Sequence, residues 1–145
     1  MTSWRDSASQ PAQDDLDALL NVSLPFAQQM LDSRGEFFPY AAAISEAGAS
    51  RLIAGDPGDG EHPLSTDVIS LIVEGLRNER DTLRATAIVS DVRIAGSDAV
   101  RVECEHREGQ AFAVFLPYTK KRLRRGVEYG ELNAGPGDPQ IWTTG

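Results

Sequence analysis

The sequence predicts an α+β domain: a five- to six-stranded antiparallel sheet with two main helices packed mostly on one of its faces. Three observations carry this expectation. From Val100 to Arg107 the residues alternate, with Val100, Val102, Cys104 and His106 on one side and Arg101, Glu103, Glu105 and Arg107 on the other. That is the period of a strand with one covered face. Two other runs, around Leu16–Leu31 and Leu64–Leu76, space their apolar residues at helical intervals. The strand-like runs are separated by turns too short for a crossover, so neighbours run antiparallel.

The first helix is expected to begin near Asp14 and Asp15, whose charge suits a helix N-terminus. Leu16, Leu19, Leu20, Leu24, Ala27, Met30 and Leu31 follow at helical spacing. Pro25 removes one backbone donor, which predicts a kink or a second helix starting there. Gly35 ends the segment as a left-handed cap. Phe37 to Ile44 is a short apolar run that reads as a buried strand, and Arg51 to Ala54 returns from it as a hairpin. Asp56-Pro57-Gly58-Asp59-Gly60 is a loop by composition.

The second helix starts at Ser65 or Thr66 and shows a wide apolar face from Leu64, Val68, Ile69, Leu71, Ile72, Val73 and Leu76. Three strands follow, at about Leu83–Ile94, Val100–His106 and Ala111–Tyr118, with turns at Ala95-Gly96-Ser97-Asp98 and Glu108-Gly109. Leu71, Ile72, Leu76, Val100, Val102, Phe112 and Val114 are the expected core. A short strand, Val127 to Leu132, precedes an irregular tail rich in Gly and Pro, tacked down by Ile141 and Trp142. Residues 1–12 read as a flexible segment and 13–145 as one domain.

The order of these elements resembles that of roadblock/longin and profilin-like domains, which set helices on a five-stranded antiparallel sheet. Pro25-Phe26-Ala27-Gln28-Gln29-Met30-Leu31, Gly35-Glu36-Phe37-Phe38-Pro39-Tyr40 and Val127-Glu128-Tyr129-Gly130-Glu131-Leu132 look like stretches of small bacterial proteins of unassigned function. The resemblance covers roughly residues 14–132 and implies a fold, not a catalytic residue.

Charge bounds the function classes. The chain has 145 residues and a formal charge of −8, from 22 acidic and 14 basic residues. Binding nucleic acid through phosphate neutralisation needs a basic footprint and is disfavoured. A single cysteine, Cys104, rules out an internal disulfide framework and fits a reducing compartment. The polar first residues lack a signal peptide's apolar core, and no run approaches about 18 apolar residues, so a cytoplasmic protein without a membrane span is expected. Arginine outnumbers lysine by 12 to two, which together with much Ala and Gly suggests a GC-rich bacterial source.

Four groups of residues could carry chemistry or contact. Cys104 and His106 share a strand face, and a thiol beside an imidazole can become a nucleophile. Their face continues Val100 and Val102, so a buried structural cysteine is the favoured reading. Asp56, Asp59, Glu61 and His62 could offer metal ligands, but Gly58 and Gly60 stand where a calcium loop needs oxygen donors. A solvated turn is favoured there. Five of the six residues Lys120-Lys121-Arg122-Leu123-Arg124-Arg125 are basic. Without them, nine basic residues face 22 acidic ones, a balance of −13. Lys120, Lys121, Arg122, Arg124 and Arg125 are expected to be exposed and are the candidate contact for an anion or an acidic partner.

Phe37, Phe38 and Tyr40 form the fourth group and a candidate hydrophobic surface; alternation sets Phe38 and Tyr40 on one sheet face and Phe37 on the other. No convergent acid, base and nucleophile set occurs in the sequence, and no cofactor or metal is expected. The leading expectation is a non-enzymatic binding or adaptor domain that meets a protein partner or a second copy of itself. The alternatives are a small hydrolase or metal-dependent enzyme using Cys104 and His106 or the Asp56–His62 loop, and an acidic immunity-type protein that neutralises a basic toxin.

Overall fold

A computed structural model of the chain describes residues 6, 8–54, 65–121 and 127–143. The first helix, α1, spans Gln10–Arg34 and starts four residues before Asp14. Ser9 explains the earlier start: its side chain accepts from the Ala12 N–H at 3.2 Å, and Pro11 occupies the first turn, where its missing donor costs nothing. The helix also continues through Pro25 rather than restarting there. Pro25 and Asn21, whose carbonyl loses its intrahelical donor, both lie on the exposed side, where water can replace the bond. On the inner side the Tyr40 hydroxyl donates to the Ser23 carbonyl and meets the Ala27 N–H. Gly35 closes the helix at φ 75°, the expected left-handed cap.

Strand β1 covers Tyr40–Ser45 and β2 covers Ser50–Ala54; they pair as the expected hairpin, with Tyr40 opposite Ala54. Helix α2, Ser65–Glu79, passes through a single 3-10 turn, Arg80–Thr82, into β3, Leu83–Ile94. Strands β4, Ser97–His106, and β5, Ala111–Lys120, continue the meander. The β3–β4 hairpin turns on Ala95 and Gly96, both at positive φ, 52° and 83°, as a two-residue hairpin of this hand requires.

Two short strands share the last lane against β5. Val127–Tyr129, β6, pairs with Tyr118–Lys120, and Asn133–Pro136, β7, pairs with Phe112–Phe115. Strand β7 falls where an irregular tail was expected. Pro136 is tolerated because the lane is an edge, and Gly137 follows where an added Cβ would lie 2.9 Å from the Phe112 backbone. The sheet is antiparallel throughout, in the order β2-β1-β3-β4-β5-β6 with β7 beside β5.

The α+β class, the antiparallel sheet and two helices packed against it agree with expectation; the placement of the helices does not. They lie on opposite faces. Leu16, Leu19, Ala27 and Leu31 of α1 pack with Ala42, Ala87, Val89, Val102 and Val114. Val68, Ile72 and Leu76 of α2 pack with Ala41, Ala43 and Ile88, the alternate residues of the same strands. Strand β1 is therefore covered on both sides, which accounts for its unbroken run of small apolar residues. Of the expected core, Ile72, Leu76, Val100, Val102, Phe112 and Val114 are buried, but Leu71 is 47% exposed. Val68, Ile72 and Leu76 recur every four residues and define the buried stripe of α2; Leu71 lies about 100° away from Ile72 around the helix, on the side away from the sheet.

Candidate docking surface

Two of the sequence-derived candidates lie at the same end of the sheet, one before β1 and one at the end of β5. Asp91 lies near the end of β3 and accepts a 2.7 Å hydrogen bond from the Tyr118 hydroxyl of β5. Burial raises the Asp91 pKa above the ordinary carboxylate value, and the Tyr118 bond opposes this. The charges of Asp98 and Glu36 push it up further, while Lys120 pulls it down. Asp91 therefore feels the charges of both Glu36, just after α1, and Lys120, at the end of β5. Tyr118 is also raised well above the ordinary phenol value, by burial first and by the Asp91 bond and charge next.

The neighbouring lane is tied to the helix. The Asp32 carboxylate of α1 accepts from the Val127 N–H at 3.3 Å, and the Tyr129 hydroxyl donates to the Gln28 carbonyl at 3.4 Å. Tyr129 is pushed up to about 12, by burial and then by the Asp32 charge. These contacts tie β6 to α1, and Lys120 pairs with Val127 at the start of that strand.

Lys120 and Lys121 are exposed; Arg122, Arg124 and Arg125 lie outside the described residues. The aromatic group divides differently from its expected alternation. Phe37 and Tyr40 enter the same core, with ring centroids 5.7 Å apart and edge-on, and Phe26 adds a second edge-on contact to Tyr40 at 4.9 Å. Phe38 is 50% exposed. The reason is local: β1 starts only at Tyr40, so strand alternation does not extend back through Pro39 to Phe37. Asp91, Tyr118 and Glu36 were not singled out from sequence. An acid inside the apolar run of β3 was the available signal, since a half-buried carboxylate needs a donor.

Cys104 and His106 do not form a thiol–imidazole couple. The Cys104 thiol is buried in the core under α1, and burial raises its pKa, with the Glu103 charge adding to the effect. His106, 2% exposed, instead meets Asp15 of α1, Nε2 to Oδ2 at 2.9 Å, while its Nδ1 accepts from the Glu108 N–H at 3.1 Å. Those two partners select the Nε2–H tautomer. Asp15 also accepts from Arg84 of β3 at 2.7 Å, so the cluster pins α1 to the sheet. The loop holding Asp56, Asp59, Glu61 and His62 lies outside the described residues. Among the described residues no group of three or more His, Cys, Asp or Glu is arranged to hold a metal ion, and no helix is long and apolar enough to cross a membrane.

No protein-family model, no curated protein and no solved structure matches the chain. Specific kinship with roadblock/longin or profilin-like domains is thus without support from these comparisons, and the coarser description stands: a small α+β domain with an antiparallel sheet and two helices.

Proposed function

We propose that this chain is a non-enzymatic binding domain. Its docking surface is the end of the sheet that carries the exposed Phe38, Lys120 and Lys121, and its partner is a protein presenting acidic groups beside an apolar side chain. One observation supports the reading: Tyr40 pairs with Val89 and, through β4, Tyr118 lies level with Arg93, so the exposed Phe38 before β1 and the exposed Lys120 at the end of β5 belong to the same end of the sheet. An exposed phenylalanine and exposed lysines at one end of a sheet offer an apolar anchor and a charged border, the arrangement that gives interfaces their affinity and orientation. The basic segment also stands out against a balance of −13 elsewhere, which favours one docking orientation of an acidic partner.

The test is affinity capture from lysate of the source cell with the wild-type chain, Phe38→Ser, and a quadruple Lys121→Ser, Arg122→Ser, Arg124→Ser, Arg125→Ser variant. The reading expects one protein that is retained by the wild type, weakened by either change, and released by salt from the wild type more readily than from the quadruple variant. Equal retention by all three chains would contradict it.

A further inference from the structure

On the face away from α1, the segment after β7 is held in an unusual way. Residues 140–142 form no strand pairing. The buried Glu105 carboxylate of β4 accepts from three successive backbone N–H groups: Gln140 at 2.7 Å, Ile141 at 3.0 Å, and Trp142 at 2.8 Å. From the other side α2 and the 3-10 turn that follows it supply the donors. Arg77 Nε donates to the Gln140 carbonyl at 2.6 Å, and Arg80 Nη1 to the Ile141 carbonyl at 3.0 Å. Five consecutive backbone groups are thus met by side chains of other elements. The Ile141 side chain, fully buried, enters the core cluster under α2.

Reading a segment's donors and acceptors with side chains, and seating one apolar residue in a socket, is how a protein recognises a peptide. We propose that Glu105, Arg77, Arg80 and the socket of Ile141 form a peptide-binding site, filled in cis by residues 140–142 and open in trans to the same segment of a second copy of this chain. That segment is the ligand whose fit the structure displays. Its link to the sheet is also short. Gly137 is packed against the Phe112 backbone, so only Asp138 and Pro139, both exposed, join the anchored β7 to the bound residues. A short hinge between two fixed elements favours exchange between copies over long-range rearrangement. In cis the tethered segment competes at an effective concentration on the order of millimolar, so exchange needs high protein concentration or a weakened cis contact. This site lies on the opposite sheet face from the docking rim and is independent of it.

The probe is the capped peptide Gly-Asp-Pro-Gln-Ile-Trp-Thr, residues 137–143, added to the full-length Ile141→Asp variant, whose own segment is disabled. Fluorescence anisotropy of the labelled peptide is expected to show saturable binding, weakened about tenfold or more when Glu105→Gln is added and unchanged by Glu103→Gln. No saturation with a folded Ile141→Asp chain would overturn the proposal. So would equal binding by the Glu105→Gln chain. If Ile141→Asp does not fold, hydrogen exchange of the wild-type chain decides. Excess peptide should accelerate exchange of the Gln140, Ile141 and Trp142 amides as it displaces the cis segment; unchanged exchange contradicts the site.

Discussion

Asp91 gives the chain a pH response that can be read residue by residue. Its pKa in the folded chain is raised, chiefly by burial. The folded state therefore holds this proton more tightly than the unfolded state. The stabilising contribution is fully present below the unfolded value, about 4, and is lost as pH rises through the higher folded value. Asp91→Asn keeps an acceptor for Tyr118 and removes the titration. Urea unfolding of both chains at several pH values from about 4 to 7 should show the variant gaining stability relative to wild type as pH rises. A constant difference would mean that Asp91 is solvated. The Asp15–His106–Arg84 cluster is a polar anchor between α1 and the sheet. Asp15→Ala leaves the buried His106 N–H without its acceptor and should cost about 3 kcal/mol in the same measurement. Cys104 should resist a thiol reagent such as a disulfide dye until the chain is unfolded; fast reaction in the native state would revive a nucleophilic role.

At the scale of elements, α2 separates what periodicity can and cannot tell. Val68, Ile72 and Leu76 touch the sheet, while Leu71 belongs to the same apolar run but not to the buried stripe. Leu76→Ala should cost about 2–5 kcal/mol and Leu71→Ala under about 0.5 kcal/mol, read from denaturant midpoints. Similar losses at both positions would show that a further surface covers Leu71. The strands from Leu83 to Tyr118 were legible because alternation and Gly turns are local signals. Strand β7 was not, because its edge pairing with β5 overrides the poor strand propensity of Gly135 and Pro136. Helix α1 outran its expected start for a similar reason: the Ser9 cap and Pro11 outweigh the acidic pair at Asp14 and Asp15. The dissection of Phe37, Phe38 and Tyr40 depended on where β1 begins, which a proline boundary leaves open in sequence.

At the largest scale, the decisive feature among the described residues is a sheet with α1 on one face and α2 on the other. An alternating β4 suggested a single covered face, yet β1, apolar at every position from Tyr40 to Ile44, recorded the second helix. Half of the candidate rim was legible as the basic run and the aromatic segment. Their place at the same end of the sheet was not, because it arises from register between β3, β4 and β5, with Asp98 opposite Tyr118 and Asp91 opposite Val100. Phe38 and Lys120 are exposed at one end of the sheet, and the proposed binding function rests on that exposure. The measurement that tests it most directly is a hydrogen-exchange footprint of the full-length chain in complex with its captured partner. The account predicts slowed exchange at residues 36–38, 118–126 and 127–129, with α2 unchanged. Protection concentrated on α2 or on β2, with the rim exchanging as in the free chain, would contradict it.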